Sequence, residues 1–294
     1  MINVQNLTKR YGAHLAVDDV SFRCEPGTVT GFLGPNGAGK STTMRMLTGL
    51  TPPTAGTATI DGRPFDDLPN PGRLVGVMLD ASAQHPGRSG LETLRLSSQL
   101  LGLHRSAADD MLERVGLSHA AKRKVASYSL GMRQRLGIAN ALIGDPAILV
   151  LDEPANGMDP EGIRWMRLLL RDFAARGGTV LLSSHLLGEA QATVDRLVVI
   201  GGGRIVADDD LDALLVGQGS TVRALDDAAM VVALRTAGFD VSRTDRGCLH
   251  VQASAEEVGR LALSSGQVLL ELSGGAGIED LYFQLTSTGS ATAA

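Results

Sequence analysis

The sequence predicts an α/β protein with a largely parallel sheet, followed by a smaller α+β unit. Three observations carry this. Short apolar runs at residues 28–33, 147–151, 179–183 and 197–200 read as buried strands. Helical patterns separate them, clearest at residues 161–176, where Ile163, Met166, Leu170 and Phe173 recur at helical spacing. Beyond the Gly217-Gln218-Gly219-Ser220 stretch the pattern restarts as strand, helix, strand, strand, helix, strand.

Taken in order, residues 4–9 and 17–23 form two strands about a turn at Tyr11-Gly12. Strand 28–33 runs into a glycine-rich loop and then a helix. The proline-bearing segment 51–56 is a turn, and residues 57–60 with Asp61-Gly62 form a strand and hairpin. Residues 91–125 are helical, with Leu94, Leu96, Leu100, Leu101, Met111, Leu112 and Val115 supplying apolar faces. In the C-terminal unit, strands near Val222 and at 239–242, 248–251 and 267–272 alternate with helices at 228–237 and 256–263. Their β-α-β-β-α-β order is that of a ferredoxin-like split motif. A last helix, 278–285, is expected to pack back on this unit, and the small, polar tail 287–294 to be disordered. The expected domains are 1–216, containing a helical subdomain at about 88–135, and 217–286.

Composition narrows the function. At 294 residues and 44% hydrophobic content there is material for a real core, filled by aliphatic residues because aromatics make up only 3%. A formal charge of −5 gives no polybasic footprint for nucleic acid. Cys24 and Cys248 lack any metal-ligand spacing and read as two buried thiols in a reducing cytosol. No apolar run reaches the 18 or more residues of a membrane span, and the N-terminus has no signal-peptide core. The expectation is a cytoplasmic chain whose membrane role, if it has one, comes through a partner.

The glycine loop is Gly34-Pro35-Asn36-Gly37-Ala38-Gly39-Lys40-Ser41-Thr42. It fits G-x-x-x-x-G-K-[ST] in its required context of strand, loop and helix. Glycines let the backbone approach phosphates closely, successive amides make an anion nest, and the helix N-terminus adds partial positive charge. Lys40 is placed for the β- and γ-phosphates and Ser41 for Mg²⁺. The second acidic element, Leu151-Asp152-Glu153-Pro154, ends an apolar strand, where open α/β sheets bind ligands. Asp152 is a candidate Mg²⁺ ligand through water. Glu153, one residue on, is placed to polarise an attacking water.

The segment Ser127-Tyr128-Ser129-Leu130-Gly131-Met132-Arg133-Gln134-Arg135 completes the pattern. With the two motifs above, it resembles the ATP-binding subunit of an ABC transporter, of the bacterial ABC-2 export type, over roughly residues 1 to 215. The signature usually written L-S-G-G-Q stands here as Tyr128-Ser129-Leu130-Gly131-Met132, and Ser129 can still cap a helix whose N-terminus faces a phosphate. The resemblance implies that two copies sandwich two ATP molecules, each bound between one copy's glycine loop and the other's Ser129 and Gly131. It implies further roles: adenine stacking for Tyr11, a γ-phosphate switch for His185, and contact across the dimer for Asp159 in Asn156-Gly157-Met158-Asp159. Residue by residue, a core tyrosine, a structural histidine and a helix-opening turn with Pro160 at the first position remain open.

One departure stands out. After Val75-Gly76-Val77-Met78-Leu79 the family has Gln, and this chain has Asp80, with Gln84 four residues later. An ionised Asp only accepts hydrogen bonds and adds negative charge near phosphates, so Asp80 is a further candidate near Mg²⁺. Continuing through His85-Pro86-Gly87-Arg88, the segment resembles actinobacterial daunorubicin-resistance-type drug exporters. The expected function is ATP-driven export through a separate ABC-2 type permease, with the subunit peripheral on the inner face of the cell membrane. The alternative is a soluble ABC-family regulatory or repair ATPase without a permease. One glycine loop and the lack of sustained heptads before the signature weigh against the translation and repair types.

Overall fold

A computed structural model describes residues 1–184, 192–216, 219–244 and 247–274 of the chain. They divide into two compact units, one over Met1–Asp208 and a second beginning at Asp209.

The first unit holds two sheets. β1 (Ile2–Tyr11) pairs antiparallel with β2 (His14–Cys24) and with β4 (Ala55–Ile60). The larger sheet has six strands in the order β5-β6-β7-β3-β8-β9. Its members are β3 (Val29–Leu33), β5 (Val75–Met78), β6 (Ile148–Leu151), β7 (Thr179–Ser184), β8 (Arg196–Gly201) and β9 (Arg204–Asp210). The pairs β5–β6, β6–β7, β7–β3 and β3–β8 are parallel. Every residue of β3, β6 and β7 is buried, so these strands carry continuous apolar runs rather than alternation. Phe22, Phe32, Met44, Val150, Leu181 and Val198 join one core between the sheets and the helix after β3, with Phe22 and Phe32 stacked at 5.2 Å.

The topology brings the motifs together. The glycine loop leaves the carboxyl end of β3, Asp152 follows β6, and β7 runs between them. α1 (Lys40–Leu47) starts at the lysine itself, and the short α2 (Pro71–Leu74) leads into β5. The helical region comprises α3 (Gly90–Leu100), α4 (Ala107–Arg114) and α5 (Leu130–Leu142). Leu94, Leu112, Val115 and Leu136 are fully buried there. Leu96 and Leu100 instead face outward, the latter 79% exposed, so the apolar face is narrower than the leucine content predicts. α6 (Pro160–Ala175) buries Met166, Leu170 and Phe173 as their spacing requires.

In the second unit, α7 (Leu211–Val216) precedes a four-stranded antiparallel sheet in the order β11-β12-β10-β13. The elements run β10 (Ser220–Ala224), α8 (Asp227–Thr236), β11 (Val241–Arg243), β12 (Leu249–Val251), α9 (Ala255–Ser264) and β13 (Leu269–Gly274). Val222, Met230, Leu234, Val251 and Val258 make its separate core. α9 opens with a reciprocal Ser254–Glu257 capping box.

Sequence patterning did not foresee β9 or α7. β9 is mostly half-buried and carries Asp208, Asp209 and Asp210, so it lacks an apolar run. The compact units accordingly divide after Asp208, whereas the glycine-rich stretch at Gly217 lies just before β10. Cys24 is fully buried, and burial pushes its thiol up to about 12, but Cys248 is only half-buried. The expected helix 278–285 and the tail from 287 lie outside the described residues.

Candidate active site

Gly34 is buried at the end of β3, and a Cβ there would sit 2.4 Å from the Ile200 carbonyl oxygen, so only glycine fits. Gly39 has φ 110°, closed to other residues, and is the N-cap of α1 with no side-chain cap. The helix start is therefore not closed by its own chain. Asn36 and Gly37 are exposed at the rim, while Ala38 is buried and its amide closes a turn onto the Pro35 carbonyl at 3.1 Å.

Lys40 is buried. Its Nζ donates to the carbonyl oxygens of Gly34, at 2.6 Å, and Pro35, at 3.2 Å, and so lies folded inside the loop. Burial lowers its pKa, while the Glu153 and Asp152 carboxylates pull the other way. An anion in the loop can take over those donated hydrogen bonds with full charge complementarity. Ser41 is exposed and Thr42 half-buried at the first turn of α1.

Glycine loop and acidic pair share one cleft of about 340 Å³, which Gly37, Lys40, Ser41, Asp152 and Glu153 help to line. Ser183, at the end of the intervening β7, joins the two acids. Its Oγ donates to Asp152 Oδ1 and accepts the Glu153 amide at 2.9 Å. Glu153 takes φ 49°, a left-handed conformation uncommon for this residue type. Sequence reasoning missed Ser183, which it placed only at the end of the apolar run 179–183; its signal was a hydroxyl on the strand between the two motifs. His185 itself lies outside the described residues.

Tyr11 also lines the cleft, together with His14. It is 49% exposed, with Lys9 Nζ 5.0 Å from its ring centre, which removes the core-tyrosine reading. Asp80 is turned elsewhere. It caps a short turn, accepting from the Ser82 amide at 2.7 Å and hydroxyl at 2.6 Å, and these bonds lower its pKa. The structure uses this acid as a turn cap. Gln84 donates instead to the Arg133 carbonyl of α5 at 3.3 Å.

Ser129 caps α5, accepting from the Met132 amide at 3.2 Å. A Cβ on Gly131 would meet its own chain only at 3.5 Å or more, ordinary contact distance, so nothing among the described residues requires glycine there. Asp159 caps α6 through the Gly162 amide at 2.9 Å, with Pro160 next. Gln134 Nε2 donates to the Asn156 carbonyl at 3.1 Å, fixing α5 against the turn before α6. Among the described residues no helix is long and apolar enough to cross a membrane, and no group of three His, Cys, Asp or Glu side chains forms a metal cluster.

Residues 17–156 match the family model described as ABC transporter. The bacitracin transport ATP-binding protein BcrA of Bacillus licheniformis is 41% identical over 217 residues, covering 73% of this chain and 71% of that protein. The lantibiotic transport ATP-binding protein SrtF of Streptococcus pyogenes is 38% identical, covering 72% and 92%. The Nod factor export ATP-binding protein I of Burkholderia orbicola is 41% identical, covering 73% and 72%. Among solved structures, an ATP-binding subunit of an ABC transporter aligns with TM-score 0.67 and 29% identity over 73% of this chain and 91% of its own. A bacterial ABC transporter cassette solved as a dimer aligns with TM-score 0.66 and 26% identity over 72% and 99%.

Proposed function

This chain belongs to the ABC transporter family as one of its ATP-hydrolysing subunits, and we propose that two copies of it clamp ATP and drive export through a separate ABC-2 type membrane permease. The observation that carries the reading is the single cleft in which a lysine-bearing amide cradle meets two strand-end carboxylates bridged by Ser183.

Lys40 exchanges its loop carbonyls for phosphate oxygens. Glu153 orients the attacking water, and Ser183 keeps Glu153 in its left-handed conformation. Phosphoryl transfer of this kind is mostly positioning and charge stabilisation. The residues also fit Mg²⁺: Ser41 and Asp152 offer oxygen donors in that cleft, and a cation that takes most of its ligands from phosphates and water needs no larger protein cluster. When bound, Mg²⁺ would neutralise developing charge on the phosphates.

Gly131 supports the two-chain reading, because among the described residues of one copy no contact requires its lack of a side chain. The second copy's nucleotide accounts for it, approaching Ser129 and the α5 N-terminus. Tyr11 stacks on adenine, His185 senses the γ-phosphate, and Asp159 changes partner when the copies close. The cargo is a drug, antibiotic or lipid-like molecule, in line with the transport roles named for the relatives. The daunorubicin-resistance-type assignment rests on the Asp80 to Arg88 segment alone. The C-terminal unit is a ferredoxin-like accessory domain, supported by its strand order. The protein works at the inner face of the cell membrane. Co-expression with a candidate ABC-2 type permease tests this. Co-purification and cargo-stimulated ATPase are expected; ATPase activity with no membrane partner and no effect on export would refute it.

A further inference from the structure

We infer that the Tyr128 hydroxyl positions the signature serine, tying Ser129 and the start of α5 to the helical subdomain. The inference rests on the reading that Ser129 meets the partner copy's nucleotide. Tyr128 stands where the signature usually has Leu, directly before the α5 N-cap.

The ring is 2% exposed, and its hydroxyl donates to the Ala120 carbonyl at 2.8 Å. Leu could fill this space but would leave the Ala120 carbonyl with the Arg123 amide, at 2.9 Å, as its remaining donor. Burial pushes the Tyr128 phenol up, against smaller pulls from Arg123 and the Gly90 amide, so it stays a proton donor at neutral pH. Gly90 makes the socket. A Cβ on Gly90, the first residue of α3, would lie 2.3 Å from the Tyr128 oxygen. Glycine there is required by the tyrosine.

Three backbone bonds strap the same two segments together. The Ala126 amide donates to the Pro86 carbonyl at 3.0 Å, Val125 to Arg88 at 2.8 Å, and Leu91 to Ala121 at 2.9 Å. α3 is fixed at this point by the Ser89–Glu92 capping box. The strap ends at Val125 and Ala126, short of Ser129. The Tyr128 amide, which donates to the Val125 carbonyl at 3.0 Å, and the Tyr128 hydroxyl carry the restraint on to the residue before the cap. Without the hydroxyl's share, more of the ordering of Ser129 falls to closure of the copies, and that cost weakens closure.

The test uses the full chain carrying Glu153→Gln. Affinity of the monomer for a fluorescent ATP analogue is compared with the dimer constant from sedimentation in saturating ATP-Mg²⁺. Adding Tyr128→Phe is expected to leave monomer affinity within about twofold and to weaken dimerisation roughly three- to tenfold, the size of one lost buried hydrogen bond. Gly90→Ala, which expels the ring while keeping the hydroxyl, should weaken dimerisation at least as much. The two changes combined should not add, because they break one contact. Parental dimerisation of Tyr128→Phe, or an equal loss in monomer affinity, overturns the inference while leaving the two-chain site intact. A Glu153→Gln parent that stays monomeric in ATP overturns the two-chain reading, and this inference with it.

Discussion

Replacing Ser183 by Ala is expected to damage catalysis without touching a phosphate-binding residue. Ser183 is fully buried at the end of β7, between the strands carrying the glycine loop and the acidic pair. Its hydroxyl serves two partners: it donates to Asp152 Oδ1 and accepts from the Glu153 amide at 2.9 Å. A hydrogen bond to a charged group contributes about 1.5–3 kcal/mol and a neutral one about 0.5–1.5 kcal/mol. The variant should therefore lose roughly 2–4.5 kcal/mol, part of it as folding stability. The rest appears as freedom at Glu153, whose φ of 49° is a strained conformation for a non-glycine residue. Misplacing a catalytic group by about 1 Å can cost 100-fold, so turnover should fall roughly 10- to 100-fold. Nucleotide affinity of the monomer should stay within about threefold, because Lys40 and the loop amides are unaltered. Urea denaturation and steady-state ATPase give the two readouts. Ser183→Thr, which keeps the hydroxyl, should recover most of the turnover. A Ser183→Ala protein with parental stability and turnover would refute this role for the bridge.

Lys40→Ala should lower turnover by roughly 100-fold or more through loss of a preorganised charge donor, and near-normal ATPase in the purified variant would contradict it. Gly39→Ala forces a side chain to φ 110° and puts its Cβ 2.7 Å from the Ala16 carbonyl oxygen, so thermal unfolding should report a loss of roughly 2–3 kcal/mol. Glu92 has its pKa lowered from 4.5 by the Ser89 amide and then the Ser89 hydroxyl. Between its folded and unfolded values the unfolded chain binds more protons, so its contribution is present above pH 4.5 and is lost as pH falls through the lowered value. Stability curves of the parent and Glu92→Gln should converge at acid pH; a constant gap down to the lowest pH measured would contradict that.

What the sequence made legible divides along physical lines. The parallel sheet could be read because β3, β6 and β7 are buried on both faces and so are written in continuous aliphatic residues. The glycine loop was legible because its backbone conformation and close approach to Ile200 exclude other residues. β9 escaped because it is half-buried and acid-rich. Asp80 reads as a candidate near Mg²⁺ because it stands where the family it resembles has a glutamine; that a serine two residues on bonds its short carboxylate in a local turn is something sequence position does not reveal. Ser183 was hidden for a different reason: its role depends on which strand lies between two others, a property of topology rather than of spacing.

Sedimentation velocity with labelled ATP bears most directly on the composite site. In ATP-Mg²⁺, the full chain carrying Glu153→Gln should sediment at twice its 30.7 kDa mass with two nucleotides bound, and adding Ser129→Arg should return it to monomers that still bind ATP. A Glu153→Gln protein that binds ATP yet stays monomeric at saturation, or a dimer indifferent to Ser129→Arg, would contradict the account.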